Sequence, residues 1–291
     1  MPHPPQTRRD WLKTASALLL TADLLPTQPA NVVPSTYFPA LPPDGSNSPL
    51  PPGKTVPFDW PYAEIPASGE GLKLNWLTGT RLPTGPVLFR ITSATDVREM
   101  CEVEVLSGKI GQVLGEIDLR FAHYHQPFEW KIPAAELPAI LADGLQLRLK
   151  TGTKPLWVFC AKGNAGPVPS AFLPHLLAGS GSTTAWQERL LSLDSVQTFG
   201  WMEGCVLDGI QAMIPRNPRA QGVLAQHLNL FFGNDRFRYE TLNNERSEGR
   251  IHTVESLLPF AILAQTNPAH PALRTAVEFA LHHADANGVI A

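Results

Sequence analysis

Residues 199–214 read Phe199-Gly200-Trp201-Met202-Glu203-Gly204-Cys205-Val206-Leu207-Asp208-Gly209-Ile210-Gln211-Ala212-Met213-Ile214. Residues 251–266 read Ile251-His252-Thr253-Val254-Glu255-Ser256-Leu257-Leu258-Pro259-Phe260-Ala261-Ile262-Leu263-Ala264-Gln265-Thr266. An offset of 52 lays Glu203 on Glu255, Cys205 on Leu257, Val206 on Leu258, Gly209 on Ala261 and Ile210 on Ile262. The segments that follow match at an offset of 53: Pro218 falls on Pro271, Ala220 on Leu273, Val223 on Ala276 and Leu228 on Leu281. Each of the four stretches carries apolar residues at helical spacing. Over 218–232, Asn217 suits an N-cap, Pro218 the first helical position and Gly233 the C′ position. The repeat predicts two copies of a helical hairpin, with helices near 201–214, 218–232, 253–265 and 271–283. One hairpin does not bury its apolar face alone, so the copies are expected to stack.

Upstream of residue 161 the period changes to two. Leu145, Leu147 and Leu149 alternate with Gln146, Arg148 and Lys150; Cys101, Val103 and Val105 alternate with Glu102 and Glu104; Leu72, Leu74 and Trp76 follow suit. Each predicts a strand with one buried and one wet face. Further strands are expected at 87–92, 112–121 and 155–160. Short strands punctuated by Pro83-Thr84-Gly85-Pro86, Ser107-Gly108 and Asp143-Gly144 fit a small antiparallel sandwich. The fold class is therefore multidomain β plus α: a β-sandwich over 67–165, then over 171–291 the first hairpins of an (α/α) toroid. Two hairpins do not close a toroid, so the domain is expected to be partial.

Of 29 prolines, 15 fall in the first 66 residues. Residues 31–66 read as a Pro-rich linker with too little apolar periodicity to offset ordering. Residues 1–30 resemble a twin-arginine export signal: Arg8-Arg9, then an apolar run from Ala15 to Leu25. That run is too short to cross a ~30 Å hydrocarbon core. The expected location is periplasmic or secreted. No clean A-x-A follows the run, so an uncleaved signal would tether the chain to the membrane. A net charge of −3 and 17% charged residues argue against electrostatically driven nucleic-acid binding. Cys101, Cys160 and Cys205 are too few for a disulfide framework, and no CxxC is present.

Glu203 and Glu255 are the candidate catalytic pair. Both lie near the start of the first helix of a hairpin, where two carboxylates on neighbouring helices would do acid and base work on a sugar. The alternative is that first-turn carboxylates simply complement the helix dipole. Trp201, Asp208, Arg250 and His252 are candidate substrate-binding residues: a stacking ring, a polar lining group and two groups suited to an anionic substrate. Phe199 and Trp186 add aromatic character to the same edge. His123-Tyr124-His125 with Glu129 has the H-x-H-x3-E spacing of the first cupin motif. It lacks that motif's glycines and its distant second half, and Pro127 interrupts the strand, so a strand-edge histidine pair is the reading. No metal and no cofactor are expected.

A β-domain followed by Trp201-Met202-Glu203-Gly204 and Thr253-Val254-Glu255-Ser256-Leu257-Leu258 resembles the six-hairpin (α/α)6 glycosidases, and among them the unsaturated uronyl hydrolases (glycoside hydrolase families 88 and 105). The resemblance covers roughly residues 185–291. It implies an exported carbohydrate-active hydrolase acting on uronic-acid-containing, unsaturated oligosaccharides with acidic residues of a toroid cavity. That family usually carries Asp near Glu255, and its principal acid would lie in a later hairpin, beyond residue 291. The alternative function is a non-catalytic extracytoplasmic carbohydrate-binding or scaffold protein. An oligosaccharide is the expected partner.

Overall fold

The computed structural model describes residues 36–43, 49–161, 168–179 and 185–290. The export-signal reading at 1–30 lies outside them. The described chain is mixed β plus α, with every strand pair antiparallel. The first four-stranded sheet is built from β1 (Thr36–Pro39), β4 (Val87–Thr92), β7 (Pro127–Lys131) and β10 (His175–Ala178), in the order β1-β10-β4-β7. The second comprises β3 (Leu72–Leu74), β5 (Glu102–Ser107), β6 (Val113–Asp118) and β8 (Leu145–Thr151), in the order β3-β8-β5-β6. A short pair joins β2 (Tyr62–Ile65) to β9 (Leu156–Phe159). Helix α1 (Leu137–Asp143) precedes β8.

Alternation dictates how these strands bury. On β8, Leu145 and Leu147 turn inward, while Arg148 and Lys150 face water. There Arg148 bonds Glu104 of β5 at 2.7 Å and Lys150 bonds Glu116 of β6 at 2.7 Å. Such cross-strand pairs reinforce the register. Inward residues of both large sheets and of β2–β9 form one apolar cluster that includes Ile65, Leu74, Phe89, Ile91, Val103, Val105, Leu147 and Leu176.

The expected strands at 72–76, 87–92, 112–121, 145–149 and 155–160 are present with slightly shifted ends. The linker expected over 31–66 is corrected. Residues 36–39 form β1, residues 62–65 form β2, and Val56, Trp60, Ala63 and Ile65 are buried. Strand β10 corrects the boundary as well, since it lies within the 171–291 assigned to helices yet sits inside the first sheet; β7 departs too, because Pro127 argues against it. It is the edge strand of its sheet, where a missing amide donor costs no ladder bond.

The helical part follows the predicted repeat. After α2 (Ala185–Leu190) come α3 (Trp201–Met213) and α4 (Arg219–Phe232), then α5 (Leu258–Thr266) and α6 (Ala272–His283). The helix expected from 253 is a 3-10 turn over Val254–Leu257 before α5 begins. The caps repeat too. Asn217 Oδ1 accepts the Arg219 amide at 3.0 Å, and His270 Nδ1 accepts the Ala272 amide at 3.1 Å. With Nδ1 accepting, His270 donates from Nε2 to the Phe232 carbonyl at 3.0 Å, tying the start of α6 to the end of α4. Burial repeats on the inner helices: Leu207 and Ile210 match Pro259 and Ile262. On the outer helices it does not. Leu224 and Leu228 are 2% and 7% exposed, whereas Val277 and Leu281 are 56% and 73% exposed.

A β-ribbon, β11 (Arg238–Glu240) with β12 (Arg246–Glu248), separates the hairpins. The second apolar cluster joins the four long helices to Val56, Trp60, Ala94, Trp157, Phe159 and Phe172, so the helices share a core with the β-part instead of following a free boundary. The ribbon turn adds polar ties. Buried Asn244, in a left-handed conformation (φ 54°), donates to the Thr55 and Ala94 carbonyls at 3.1 and 3.3 Å; its Oδ1 accepts the Asp96 amide at 2.6 Å. Tyr124 donates its hydroxyl to the Glu240 carbonyl at 2.6 Å. Among the described residues, no helix is long and apolar enough to cross a membrane.

Candidate functional site

Glycines set the approach of the two inner helices. A Cβ placed on Gly204 would lie 2.5 Å from the Leu258 Cβ, so only glycine admits α5 at this distance. Two turns on, Gln211 Nε2 donates to Gln265 Oε1 at 2.9 Å. Helices α3 and α5 therefore run parallel. Gly200, with φ 128°, forms the turn into α3 beside the Glu255 carbonyl.

Trp201, Cys205 and Asp208, spaced by four and three residues, form the exposed stripe of α3. Glu255 and Leu258 are exposed at the start of the neighbouring hairpin. Trp201 and Asp208 thus share one exposed face of α3, and Glu255 is exposed in the 3-10 turn that leads into α5. Arg250 and His252 are exposed in the loop after β12. This loop is tied back to that strand: the Ser247 hydroxyl lies 3.0 Å from His252 Nε2 and 3.2 Å from the Arg250 carbonyl. Phe199 is buried among Phe231, Phe232, Phe237 and Tyr239, while Trp186 is exposed.

The expectation that Glu203 shares a cavity with Glu255 is corrected. Glu203 is fully buried, and both its oxygens are engaged. Oε2 accepts the Gln197 amide at 2.7 Å, and Oε1 lies 2.8 Å from His227 Nδ1. His227, also fully buried, lies 3.1 Å through Nε2 from the Ser192 carbonyl. A carbonyl only accepts, so Nε2 carries a proton. One further proton sits between Nδ1 and Oε1, and the pair is neutral as a unit wherever that proton rests. Burial pushes the Glu203 carboxyl above its usual range, against the pull of His227 and the Gln197 amide. Of the two readings of this first-turn carboxylate, the geometry is that of the structural one. It fastens the start of α3 to the preceding loop and to α4.

The histidine pair is also corrected. His123 is exposed, and His125 is buried with φ 65°; both precede β7, in a loop instead of on a shared strand face. His125 sits among Phe58, Trp60, Tyr124, Phe159 and Phe172, with ring centroids 5.0–5.9 Å away. Burial lowers its pKa to about 3, so the ring is neutral. Glu129 bonds Arg90 at 2.7 Å. Among the described residues no three His, Cys, Asp or Glu side chains are grouped to hold a metal ion. None of the three cysteines is in a disulfide, and burial raises the Cys101 thiol to about 11.

A cleft of about 840 Å³ was not anticipated. It is lined by residues 58–60, Leu193, the end of α4, Arg236 just before the ribbon, and the ribbon residues Arg238 and Glu248. Its sequence signals were two. Phe58-Asp59-Trp60 concentrates aromatics inside the Pro-rich stretch, and Arg236-Phe237-Arg238-Tyr239-Glu240 alternates with period two.

No family model matches the chain, and no curated protein and no solved structure is found to be similar to it.

Proposed function

We propose that this chain is an exported carbohydrate-active protein that takes uronic-acid-containing oligosaccharides on the open side of the α3–α5 layer. In this reading the paired sheets are a supporting sandwich, and the hairpins belong to an (α/α) toroid. The observation that carries it is the shared exposure of Trp201 and Asp208 on α3 and of Glu255 in the turn that leads into the neighbouring α5. A half-exposed indole offers a flat apolar surface to a sugar ring, and the exposed carboxylates offer acceptors for its hydroxyls. The hydrolytic form assigns acid and base roles to Glu255 and Asp208, in place of Glu255 and Glu203. The burial of Glu203 favours the second reading, a non-catalytic carbohydrate-binding protein, because it removes one of the two expected carboxylates.

Calorimetric titration of saturated and unsaturated trigalacturonate, with a reducing-end assay alongside, tests both forms. Trp201→Ala is expected to weaken binding at least about tenfold, the loss of one ring-stacking contact. In the hydrolytic form, Glu255→Gln lowers turnover by about 100-fold and leaves affinity unchanged. Binding without turnover establishes the non-catalytic form. Unchanged affinity in Trp201→Ala overturns the site.

A further inference from the structure

We infer that the cleft between residues 58–60, the end of α4 and the ribbon is a second binding site, for a ligand that carries a carboxylate on a ring with an apolar face. It does not rest on the α3–α5 reading.

The floor is apolar and rigid. Phe58, Leu193 and Leu230 are half-buried there, backed by the buried rings of Trp60, Phe231 and Phe237. Phe58 and Asp59 are consecutive non-glycine residues in the left-handed region, at φ 59° and 56°. Such a backbone persists only where its surroundings over-determine it. Here they do so from both sides. The Phe58 ring stacks on His125 at 5.8 Å and meets Phe231 edge-on at 5.1 Å. Asp59 is bonded by Arg238 at 3.3 Å and by Arg246, which also holds Glu240 at 3.2 Å. The strained turn thus presents a fixed ring and a fixed carboxylate to the cleft before any ligand arrives.

The polar groups around this floor are unequal. Arg238 is already neutralised: Asp59 bonds it, and Glu248 lies directly opposite on β12. Arg236 is exposed, lines the cleft and takes part in none of the ion pairs among the described residues, so it is a cation ready for a partner. Exposed Asn229 and Asn234 amides stand on the same rim. An open guanidinium beside an apolar floor selects an anionic head on a flat body, and a planar fork fits a carboxylate in two-point fashion. Amide side chains serve hydroxyls or a ring oxygen. The volume is within the range of sites for small organic ligands.

The ring-borne carboxylate has two sources, a uronic acid or an aromatic acid, and one experiment separates them. Trigalacturonate, ferulate and the methyl ester of each are titrated calorimetrically into the full chain carrying Trp201→Ala, which silences the other face. The expected result is that one acid binds and its ester binds at least about tenfold more weakly, the worth of one charge-assisted contact. Arg236→Ala is expected to erase that gap. Asn234→Gly removes the amide while suiting the left-handed backbone (φ 55°), and is expected to weaken the acid without changing the acid-to-ester ratio. Whichever acid binds identifies the ring. Equal affinity for acid and ester, an intact preference in Arg236→Ala, or no acid binding tighter than about 1 mM overturns the proposal.

Discussion

His227 Nδ1 stands 2.8 Å from Glu203 Oε1, and both side chains are wholly out of solvent. The proton shared between them belongs to a hydrogen-bonded chain that starts at the Gln197 amide and ends at the Ser192 carbonyl.

That chain ranks two substitutions. Glu203→Gln offers a carbonyl to the Gln197 amide and an N–H to His227 Nδ1, so every group keeps a partner. Its expected cost is about 1 kcal/mol or less. Glu203→Ala leaves the Gln197 amide and one imidazole nitrogen buried and unpaired, at about 3–5 kcal/mol. Urea unfolding of the two variants checks the order. Equal losses would show that no proton is shared here.

Acid is expected to destabilise the fold through buried imidazoles. Burial lowers His125 to about 3 and His175 to about 4, both from 6.5. Between 6.5 and those values the unfolded chain binds the protons and the folded chain does not. Stability therefore falls as pH drops through this window, by about 1.4 kcal/mol per pH unit for each histidine. His125→Phe keeps a ring in the aromatic cluster and removes one titrating group. The slope of unfolding free energy between pH 6 and pH 4.5, measured by urea titration, should then become shallower.

Two glycines on neighbouring helices should respond oppositely to alanine. Gly204→Ala sets a methyl against Leu258, 2.5 Å from its Cβ, and forces α3 from α5. The expected cost is about 1–3 kcal/mol. Gly222 of α4 meets nothing within 4 Å, and Gly222→Ala should gain about 0.5–1 kcal/mol through helix propensity. Thermal unfolding of both variants decides the point.

What could be read from the sequence followed from local periodicity. Leu145, Leu147 and Leu149 disclose a strand because a half-buried strand repeats every two residues. Asn217-Pro218 and Gly233 disclose the bounds of α4 because caps obey local chemistry. Strands β1, β2 and β7 were hidden by short length and by prolines, which edge positions tolerate. At the candidate site, helical spacing put Trp201 and Asp208 on one face. The burial of Glu203 was hidden, because its partner His227 lies 24 residues away and Ser192 lies in a preceding loop. Periodicity places a residue on a face; it does not reveal which distant side chain will cover that face.

Asn244 joins stretches of chain that synthesis delivers far apart: its bonds reach back 148, 150 and 189 residues. Bonds of that sequence separation close long loops, so the clamp is expected to form late in folding. Once closed, it makes the ribbon a keystone whose loss loosens both apolar clusters. The helices and sheets should therefore melt in one cooperative step, despite contrasting architectures that invite the expectation of two.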